Sequence, residues 1–546
     1  MFVRVKKSGR FQYLQIVENR KDGGKVRQRV IATIGRLDQL EAKGGVETLV
    51  RSLARFSDRT LLVLSGKSEA NAKAVKIGPS LIFDRLWKDL GIGQVIHGLL
   101  KDRKFEFDVE RAIFQTVLHR LFVSGSDRSC ERWRRDYAID AKEGIALHHI
   151  YRAMAFLGEV VEDQRNAGPF SPRCIKDLVE EGLFAAHRHL FTGLELIFFD
   201  TTSIYFEGRG GQSIGAFGHS KDHRPDRKQM VVGAILDDAG HPICCEMWPG
   251  NTADVKTLLP VVDRLRQRFG IEQFCIVADR GMISAETIKT LESPQCGIPY
   301  ILGARMRREK EVNEEALSRA GRYEEIVAEG GRSKDPAPLK VKEVKVGDRR
   351  YIVCRNERQA RRDAAARQSM IDDLEQRLKT GPKSLVGNRG YRRYLKITKE
   401  SVTLDLEKIE AEARFDGKWV LRTNMRLPAG QVALKYKELW QVEQVFRDIK
   451  SVLDTRPIFH KRDETIKGHV FCSFLALVLR KELDRRLEQS GLDFEWADIK
   501  QDLKALQEVT IDENGKRLAL RSSCLGVCGK VFQAVGVALP PTIREI

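Results

Sequence analysis

Long apolar runs are missing from this chain of 546 residues. The longest apolar stretch near the C-terminal region, Val470 to Leu479, contains a cysteine and a serine and is far too short to span a bilayer. The N-terminus, Met1 to Arg10, carries positive charge, but no apolar segment follows it, so a secretory signal is not expected. We therefore expect no membrane partner and no secretion.

Cysteines in metal-binding or disulfide patterns are also missing. The ten cysteines are scattered singly, apart from the adjacent Cys244 and Cys245 and the C-x3-C of Cys524 and Cys528. Structural zinc needs closely spaced pairs with a second half-site, and no histidine stands at that spacing here. Reduced thiols in the cytoplasm are the simplest interpretation.

Acidic residues are outnumbered, with 76 Asp and Glu against 95 Lys and Arg, which gives a formal net charge of +19. Such a balance favours a polyanionic partner. The first 30 residues alone hold nine basic and two acidic side chains, a net +7, on a strand-like alternation that predicts a basic β-hairpin unit. This face either contacts phosphates or is merely solvated.

The hydrophobic pattern changes character several times and predicts successive segments. Residues 305–417 interrupt an α/β pattern and indicate an inserted, partly β subdomain, since a structureless loop of that length is uncommon. The predicted segments are a basic β-rich unit (1–60), a helical domain for DNA binding or dimerisation (75–190), an α/β domain in two parts (191–304 and 418–485), the insertion (305–417) and a C-terminal region (486–546).

Three acidic residues stand in contexts typical of metal-dependent phosphodiester chemistry. Asp200 and Asp279 each end an apolar, strand-like run, and Glu443 lies within a helical segment. Two carboxylates at strand ends and one on a helix can hold a pair of hard divalent cations. Such a pair, about 3.5–4 Å apart, cuts and joins phosphodiesters in many enzymes.

The segment around Glu443 can be tested by helical geometry. At about 100° per residue, positions seven apart share a face, so one helix would align Tyr436, Glu443 and Lys450. An apolar stripe runs beside them and predicts that Glu443 lies at the margin of the buried surface. The alternative is an ordinary surface glutamate paired with Lys450 or Arg447. The stripe consists of Leu439, Val442, Phe446, Ile449 and Leu453.

Together these residues resemble a known family. Five blocks are similar to the DDE transposases of the insertion-sequence-four superfamily, in the IS1634-like branch that begins with a short basic β-rich unit. The family's helix signature, Tyr-x2-Arg-x3-Glu-x6-Lys, is matched by Tyr436, Glu443 and Lys450, but Leu439 replaces the arginine. The blocks are Phe198 to Ser203, Gly218 to Asp226, Pro249 to Asp254, Val277 to Met282 and the Glu443 segment.

The resemblance implies an α/β protein. Its fold would be an RNase H-like mixed sheet flanked by helices, with an inserted partly β subdomain, preceded by the basic β-rich unit and the helical domain. Asp200, Asp279 and Glu443 would be the catalytic residues and the ligands of two Mg²⁺ or Mn²⁺ ions. Lys450 and Tyr436 would contact phosphates near the cut. Further DNA contacts are expected from Lys221, His223, Arg224 and Arg447, with a solvated basic loop as the alternative for the residues 221–224.

The function implied is that of an insertion-sequence transposase. It would cleave double-stranded DNA at terminal inverted repeats and transfer the strand into target DNA, acting as a homodimer on the nucleoid in the bacterial cytoplasm. Two alternatives stay open: a non-catalytic DNA-binding derivative of a transposase, and a metal-dependent nuclease of the same fold that does not join strands.

Overall fold

The computed structural model describes residues 2–22, 25–42, 45–53, 71–139, 144–165, 167–168, 171–187, 195–326, 339–380, 394–397, 402–513 and 516–546. Some sequence predictions lie outside the described residues. They are the turn at Gly23 and Gly24, the end of the N-terminal unit (54–60), the start of the α/β domain (191–194) and parts of the insertion (327–338, 381–393 and 398–401).

Helices predominate between residues 78 and 187, and farther along the chain helices and strands are interspersed. In chain order they are α1 (Leu37–Ala42), α2 (Gly45–Leu53), α3 (Gly78–Asp89), α4 (Ile92–Leu100), α5 (Val109–Phe122), α6 (Asp127–Trp133), α7 (Leu147–Gly158), α8 (Ile175–His187), α9 (Leu258–Gln267), α10 (Ala285–Leu291), α11 (Glu357–Thr380), α12 (Leu406–Ala413), α13 (Ala429–Lys437), α14 (Trp440–Arg447), α15 (Asp463–Gln489), α16 (Trp496–Ala505) and α17 (Cys528–Val535).

The strands fall into four sheets. In chain order they are β1 (Phe2–Ser8), β2 (Phe11–Asp22), β3 (Lys25–Arg36), β4 (Asn71–Lys76), β5 (Glu195–Tyr205), β6 (Gln229–Leu236), β7 (Pro242–Pro249), β8 (Phe274–Ala278), β9 (Tyr300–Gly303), β10 (Glu324–Ile326), β11 (Leu339–Val346), β12 (Arg349–Asn356), β13 (Leu395–Ile397), β14 (Val402–Leu404), β15 (Lys418–Thr423), β16 (Gln507–Glu513), β17 (Lys516–Arg521) and β18 (Ile543–Glu545).

The chain divides into two compact units, of which the first comprises Met1–Gly78, Ala497–Gly529 and Ala538–Ile546. Its N-terminal sheet is the antiparallel meander β1-β2-β3, which confirms the predicted basic β-rich unit. A second antiparallel sheet has the order β18-β17-β16-β4. The edge strand β4 pairs with β16, so residues near position 75 and near position 510 share one sheet.

The second unit, Pro79–Trp496 and Lys530–Val537, begins with helices, as the periodicity predicts. Nearly every side chain of α5 is buried, including Gln115, Thr116 and His119. A helix buried on all sides must have neighbours all round, and α6, α7 and α15 pack against it or against its partners. The long α15 contacts both α5 and α7, and its residues from Thr465 to Leu477 are buried.

The centre of this unit is a nine-stranded mixed sheet of order β10-β11-β12-β15-β9-β8-β5-β6-β7. β5, β6 and β7 form an antiparallel meander, whereas β8 pairs parallel with β5 and β9 parallel with β8. Apolar side chains of β5, β6 and β8 form one core with α9 and α10. Because α14 also packs against β5 and β6, every residue of β6 is buried. The mixed, helix-flanked sheet confirms the RNase H-like prediction.

The insertion does not fold apart from this sheet. β10, β11 and β12 continue it through β15, and their side chains build a second core around Tyr351, Val353 and Val420. The sequence indicated strand-like pieces in this region but gave no indication of their pairing. The long exposed helix α11 follows β12, and its last turns pack with Tyr394 and Leu395 in a small separate cluster. The predicted domain boundaries within this unit stay predictions.

Across the described ranges, no helix is both long enough and apolar enough to cross a bilayer. All ten cysteines are free thiols, and most of them are buried.

Candidate active site

Asp200 and Asp279 are brought side by side by the parallel pairing of two strands. In the register of β5 and β8, Phe199 pairs with Ala278, so the two aspartates follow at the next position on neighbouring strands, about 5 Å apart along the hydrogen-bonding direction. Asp279 directly follows the end of β8, as predicted. The prediction that Asp200 also ends a strand is wrong, because β5 continues to Tyr205 by pairing with β6.

The surroundings of Asp200 disfavour its ionised form. Burial, helped by the nearby carboxylates of Asp279 and Asp254, raises the pKa of Asp200 to about 6 against the opposing effects of Lys221 and the Thr201 N–H. That N–H donates to Asp200 Oδ1 at 2.7 Å. Negative charge thus accumulates here without full compensation, which is the electrostatic setting that a bound cation would relieve.

Tyr436 fixes the orientation of Asp279. Its hydroxyl donates to Asp279 Oδ1 at 3.1 Å, and burial raises the pKa of Tyr436, which the charges of Asp279 and Asp200 raise further. Gly303, at the end of β9, provides the room for this contact. A Cβ at that position would lie 2.5 Å from Tyr436 Oη and 3.1 Å from the backbone nitrogen of Arg280.

The segment that carries Tyr436, Glu443 and Lys450 is not the single α-helix that the periodicity predicts. α13 ends at Lys437, α14 begins at Trp440, and a π-helical turn covers Asp448–Val452. At the junction the N–H groups of Glu438 and Leu439 bond three residues back, which tightens the turn. Because tight and wide turns rotate by different angles per residue, a seven-residue spacing no longer guarantees a shared face here.

The apolar stripe of this segment is buried as predicted. Leu439 retains 7%, Val442 0%, Phe446 6%, Ile449 2% and Leu453 3% of their exposure. Through this stripe α14 packs against β5 and β6, while α13 packs against β8 and β9. The two helices therefore lie over the part of the sheet that carries the two aspartates.

Glu443 stands in the first turn of α14 and is exposed to solvent beside that stripe. Two clusters of three acidic or histidine side chains in the described ranges bring their ligand atoms within 4.8 Å of one another, and the predicted triad is not among them. A two-ion site does not need such convergence, because its ions are themselves about 3.5–4 Å apart. The roles of the three carboxylates stay predictions.

Asp254 is a neighbour of the site that the sequence did not predict as a site residue. Its Oδ1 accepts from Thr201 Oγ1 at 2.7 Å, and Lys221 Nζ lies 3.1 Å from its Oδ2. Lys221 also donates to the Thr201 carbonyl at 2.7 Å. Asp254 and Lys221 line a cavity of about 260 Å³, and Arg305 lines it as well. The block from Pro249 to Asp254 was a signal for this residue, since it was one of the five family-like blocks.

Burial lowers the pKa of Lys450, and the charge of Lys221, on a different element, lowers it further. The Lys450 ammonium lies 2.7 Å from Asp222 Oδ1, and the guanidinium of Arg456 contacts the same oxygen. No sequence pattern pointed to Asp222 as an ion-pair partner or to Arg456.

The other predicted DNA-contact residues are not drawn into this cluster. His223 is exposed, with a left-handed φ of 56°, and Arg224 forms an exposed ion pair with Asp226 at 2.9 Å. Arg447 is exposed on α14 and donates to Gln444 Oε1 at 3.0 Å. Exposed guanidinium groups remain available to phosphates, so these contacts stay predictions.

Comparison with known proteins identifies the family. Residues 192–479, more than half of the chain, match the family described as "Transposase DDE domain". Residues 3–69 match "IS1634 family transposase, N-terminal domain". No curated protein matches the chain.

A solved structure described as a piggyBac transposase synaptic complex with hairpin DNA is 11% identical, with 78% of this chain and 79% of that chain covered at a TM-score of 0.36. This likeness is too weak to support an argument. The match over residues 192–479 establishes that the chain belongs to the DDE transposases, and the match over residues 3–69 supports an IS1634-like branch.

Proposed function

We propose that this transposase cleaves double-stranded DNA at the terminal inverted repeats of an insertion sequence and transfers the freed strand into target DNA, with Asp200, Asp279 and Glu443 as its catalytic carboxylates. The observation that supports this proposal best is the pair formed by Asp200 and Asp279, adjacent in register and short of positive charge. A half-buried carboxylate pair is costly to keep ionised unless positive charge, such as a bound cation, neutralises it.

The donor set fits Mg²⁺ or Mn²⁺. Carboxylate oxygens are the ligands that these hard cations prefer, and two ions would be held by Asp200, Asp279 and Glu443. Bound ions of this kind lower the pKa of the attacking water and stabilise the leaving 3′-oxygen. The same site can serve cleavage and joining, because both steps are phosphoryl transfers.

The chain's own residues position the catalytic carboxylates and neutralise negative charge on the DNA. Tyr436 holds the Asp279 carboxylate in one orientation through its hydroxyl. Lys450 and Lys221 supply positive charge to a scissile phosphate, on which negative charge builds up during transfer. Their partners Asp222 and Asp254 keep both ammonium groups in place before DNA arrives.

DNA is the proposed partner, in the form of transposon ends and target. The net charge of +19 and the basic sheet β1-β2-β3 favour a polyanion, and His223, Arg224 and Arg447 are proposed as further phosphate contacts. Two copies of the chain, one at each end, would form the synaptic complex. Such a substrate would place the protein on the nucleoid.

The test is incubation of purified protein with a labelled duplex that carries the inverted repeats flanking its reading frame, with and without Mg²⁺. We expect metal-dependent nicking at the repeat boundary and, with added target duplex, a joined product. Glu443→Gln, Asp200→Asn and Asp279→Asn should each abolish nicking and retain end binding. Glu407→Gln, the same change at an exposed site on α12, is the matched control.

The outcomes separate the alternatives. Nicking without any joined product would favour a nuclease of this fold. Binding without nicking would favour a non-catalytic derivative. Full activity in any one of the three variants would remove that residue from the catalytic set.

A further inference from the structure

The second unit contains a pocket of about 660 Å³ that the proposed chemistry does not use. It is lined by the start of α6, by α7, and by the segment that leads from Asp454 into α15. We propose that this pocket binds an unpaired DNA strand, with a nucleotide base against its aromatic side chains and the strand's phosphates on its basic rim. The identification of the ligand as DNA rests on the proposed function.

The wall of the pocket is strongly basic. Its two acidic residues are Asp127 and Asp454, and Asp127 already pairs with Arg120 at 3.4 Å and contacts His460 Nε2 at 2.8 Å. In the described part of the chain, no ion pair engages Arg128, Lys461 or Arg462. Unpaired cations around a concave surface favour an anionic ligand. The basic residues of the lining are Arg128, Arg152, Arg456, Lys461 and Arg462.

Two aromatic side chains of the lining are exposed. Phe459 retains 64% and Tyr151 37% of their accessible surface, although large apolar side chains are usually buried. Aromatic faces beside cations are how proteins bind single strands, because every base has a π-face and every nucleotide a phosphate. Phe459 and the three unpaired cations thus supply the two contacts that an unstacked nucleotide requires.

The size of the pocket selects the form of DNA. A volume of about 660 Å³ lies within the range of sites for single small ligands, about 300–1,000 Å³, and cannot admit a duplex. The bases of a duplex are also stacked and cannot reach an aromatic side chain inside a pocket. An unpaired strand meets both requirements.

A cation is not the expected ligand here. Asp127, His460 and His469 do place ligand atoms within 4.8 Å of one another at the pocket floor. The guanidinium of Arg120, however, donates to His469 Nδ1 at 2.9 Å and lies 3.4 Å from Asp127 Oδ1, so the positive charge is already supplied. His469 also contacts the Thr455 carbonyl at 3.1 Å, which leaves this cluster internally satisfied.

The pocket adjoins the candidate active site through one carboxylate. Arg456 lines the pocket and contacts Asp222, and Asp222 binds Lys450 at 2.7 Å. A strand that leaves Lys450 therefore meets Arg456 next and then the pocket. This arrangement fits the flank of a cut end, where a single strand becomes available.

The test is fluorescence anisotropy with a labelled 12-nucleotide oligo-dT, a matched duplex, and dTMP as competitor, in EDTA so that no cleavage occurs. Phe459→Ala should weaken oligo-dT binding about tenfold, the effect of losing one base stack. The double variant Arg128→Gln with Lys461→Gln should weaken oligo-dT binding and flatten the slope of log affinity against log salt by about 0.7 per lost phosphate contact. Duplex binding should change less than about twofold in both variants. Phe217→Ala, at a residue 60% exposed elsewhere, is the matched control.

Several outcomes would overturn the proposal: unchanged oligo-dT binding, equal losses for oligo-dT and duplex, or dTMP binding as tight as the strand. A 2-aminopurine base in the oligonucleotide provides a second readout, since stacking on Phe459 should quench it and Phe459→Ala should restore it. Metal-dependent cleavage is measured separately. Cleavage with no strand binding in the pocket would reject this inference alone, and strand binding without cleavage would reject the proposed function alone.

Discussion

The ammonium of Lys450 lies 2.7 Å from Asp222 Oδ1, across 228 positions of the chain. Burial lowers the pKa of Lys450, and the Asp222 carboxylate opposes that effect. Asp222 itself is only 4% exposed and also contacts Arg456. One buried acid thus holds two cations, one of them beside the candidate active site and the other in the basic pocket.

Asp222→Asn is expected to destabilise the protein. The change keeps the shape of the side chain but leaves two neighbouring cations without a counter-charge, and breaking a buried ion pair costs about 3 kcal/mol. Thermal unfolding should therefore begin several degrees lower. Asp226→Asn is the control, because its pair with Arg224 is solvent-exposed and such pairs contribute less than about 1 kcal/mol. Equal midpoints for the two variants would contradict this account.

Tyr436→Phe should raise the Mg²⁺ concentration needed for half-maximal cleavage. The ring stays, but the donor to Asp279 Oδ1 is lost, and removing such a supporting hydrogen bond commonly costs about 10–100-fold in metal affinity or activity. The measurement is a Mg²⁺ titration of the nicking rate. Tyr323→Phe, outside this site, should leave the titration unchanged. An unaltered half-saturation in Tyr436→Phe would show that the hydroxyl does not position the carboxylate.

Gly303→Ala should reduce cleavage through the same hydroxyl. Its Cβ would meet Tyr436 Oη at 2.5 Å, so the tyrosine must move away from Asp279. In a Tyr436→Phe background the closest atom, Tyr436 Oη, is absent. Adding Gly303→Ala there should reduce the cleavage rate clearly less than it does in the wild type. A double-mutant cycle on the nicking rate measures this coupling. Simple additivity of the two changes would contradict the steric explanation.

Stability should decline between pH 6.5 and pH 4. Burial lowers the pKa of His119 and His469 to about 4, whereas an unfolded histidine titrates near 6.5. The unfolded chain therefore binds more protons in this window, and the stability that is fully present above pH 6.5 is lost as the pH falls toward 4. At pH 5 each histidine should cost about 1–2 kcal/mol relative to pH 7.

The measurement is the unfolding midpoint at pH 7.5 and pH 5. His119→Asn and His469→Asn should each narrow the difference between the two midpoints. His97→Asn, at an exposed histidine of α4, should leave the difference as it is in the wild type. A difference that neither of the two buried substitutions narrows would contradict the assignment.

Charge removal on the N-terminal sheet should weaken DNA binding. Lys6, Lys7 and Arg10 are exposed on or beside β1, and each phosphate contact contributes about 0.9 to the slope of log affinity against log salt. Replacing all three by glutamine should flatten that slope by about 2–3 if all of them touch phosphates. The matched control replaces Arg358, Arg361 and Arg362 on α11 by glutamine. Equal slopes in the two triple variants would show that the change in slope comes from the lower overall charge and not from phosphate contacts of the N-terminal sheet.

Local patterns predicted much of this fold. The strand-like alternation of the N-terminal unit and the apolar stripe of Leu439 to Leu453 follow from side-chain periodicity, which each segment shows without its neighbours. The continuation of β5 past Asp200 was not predicted, because Thr201, Thr202 and Ser203 are polar and do not continue the apolar run. They are buried because β6 pairs with them, a fact about another segment.

The prediction of one uniform helix from Tyr436 to Lys450 is wrong for a related reason. Spacing arguments assume a constant rotation per residue, and the turns at Glu438 and Asp448 depart from it under packing against the sheet. The pairing of the insertion strands with β15 likewise depends on contacts between distant parts of the chain. Such contacts leave no periodic trace in either partner.

By itself the sequence determined the chemistry available to this protein, because the carboxylates, the lysines and the basic N-terminal unit are properties of residue type and order. The tertiary structure decided which charges meet. Asp222 with Lys450, Thr201 with Asp254 and Tyr436 with Asp279 are joined across 53 to 228 positions. Only the folded chain brings such residues within the few ångströms over which a hydrogen bond acts.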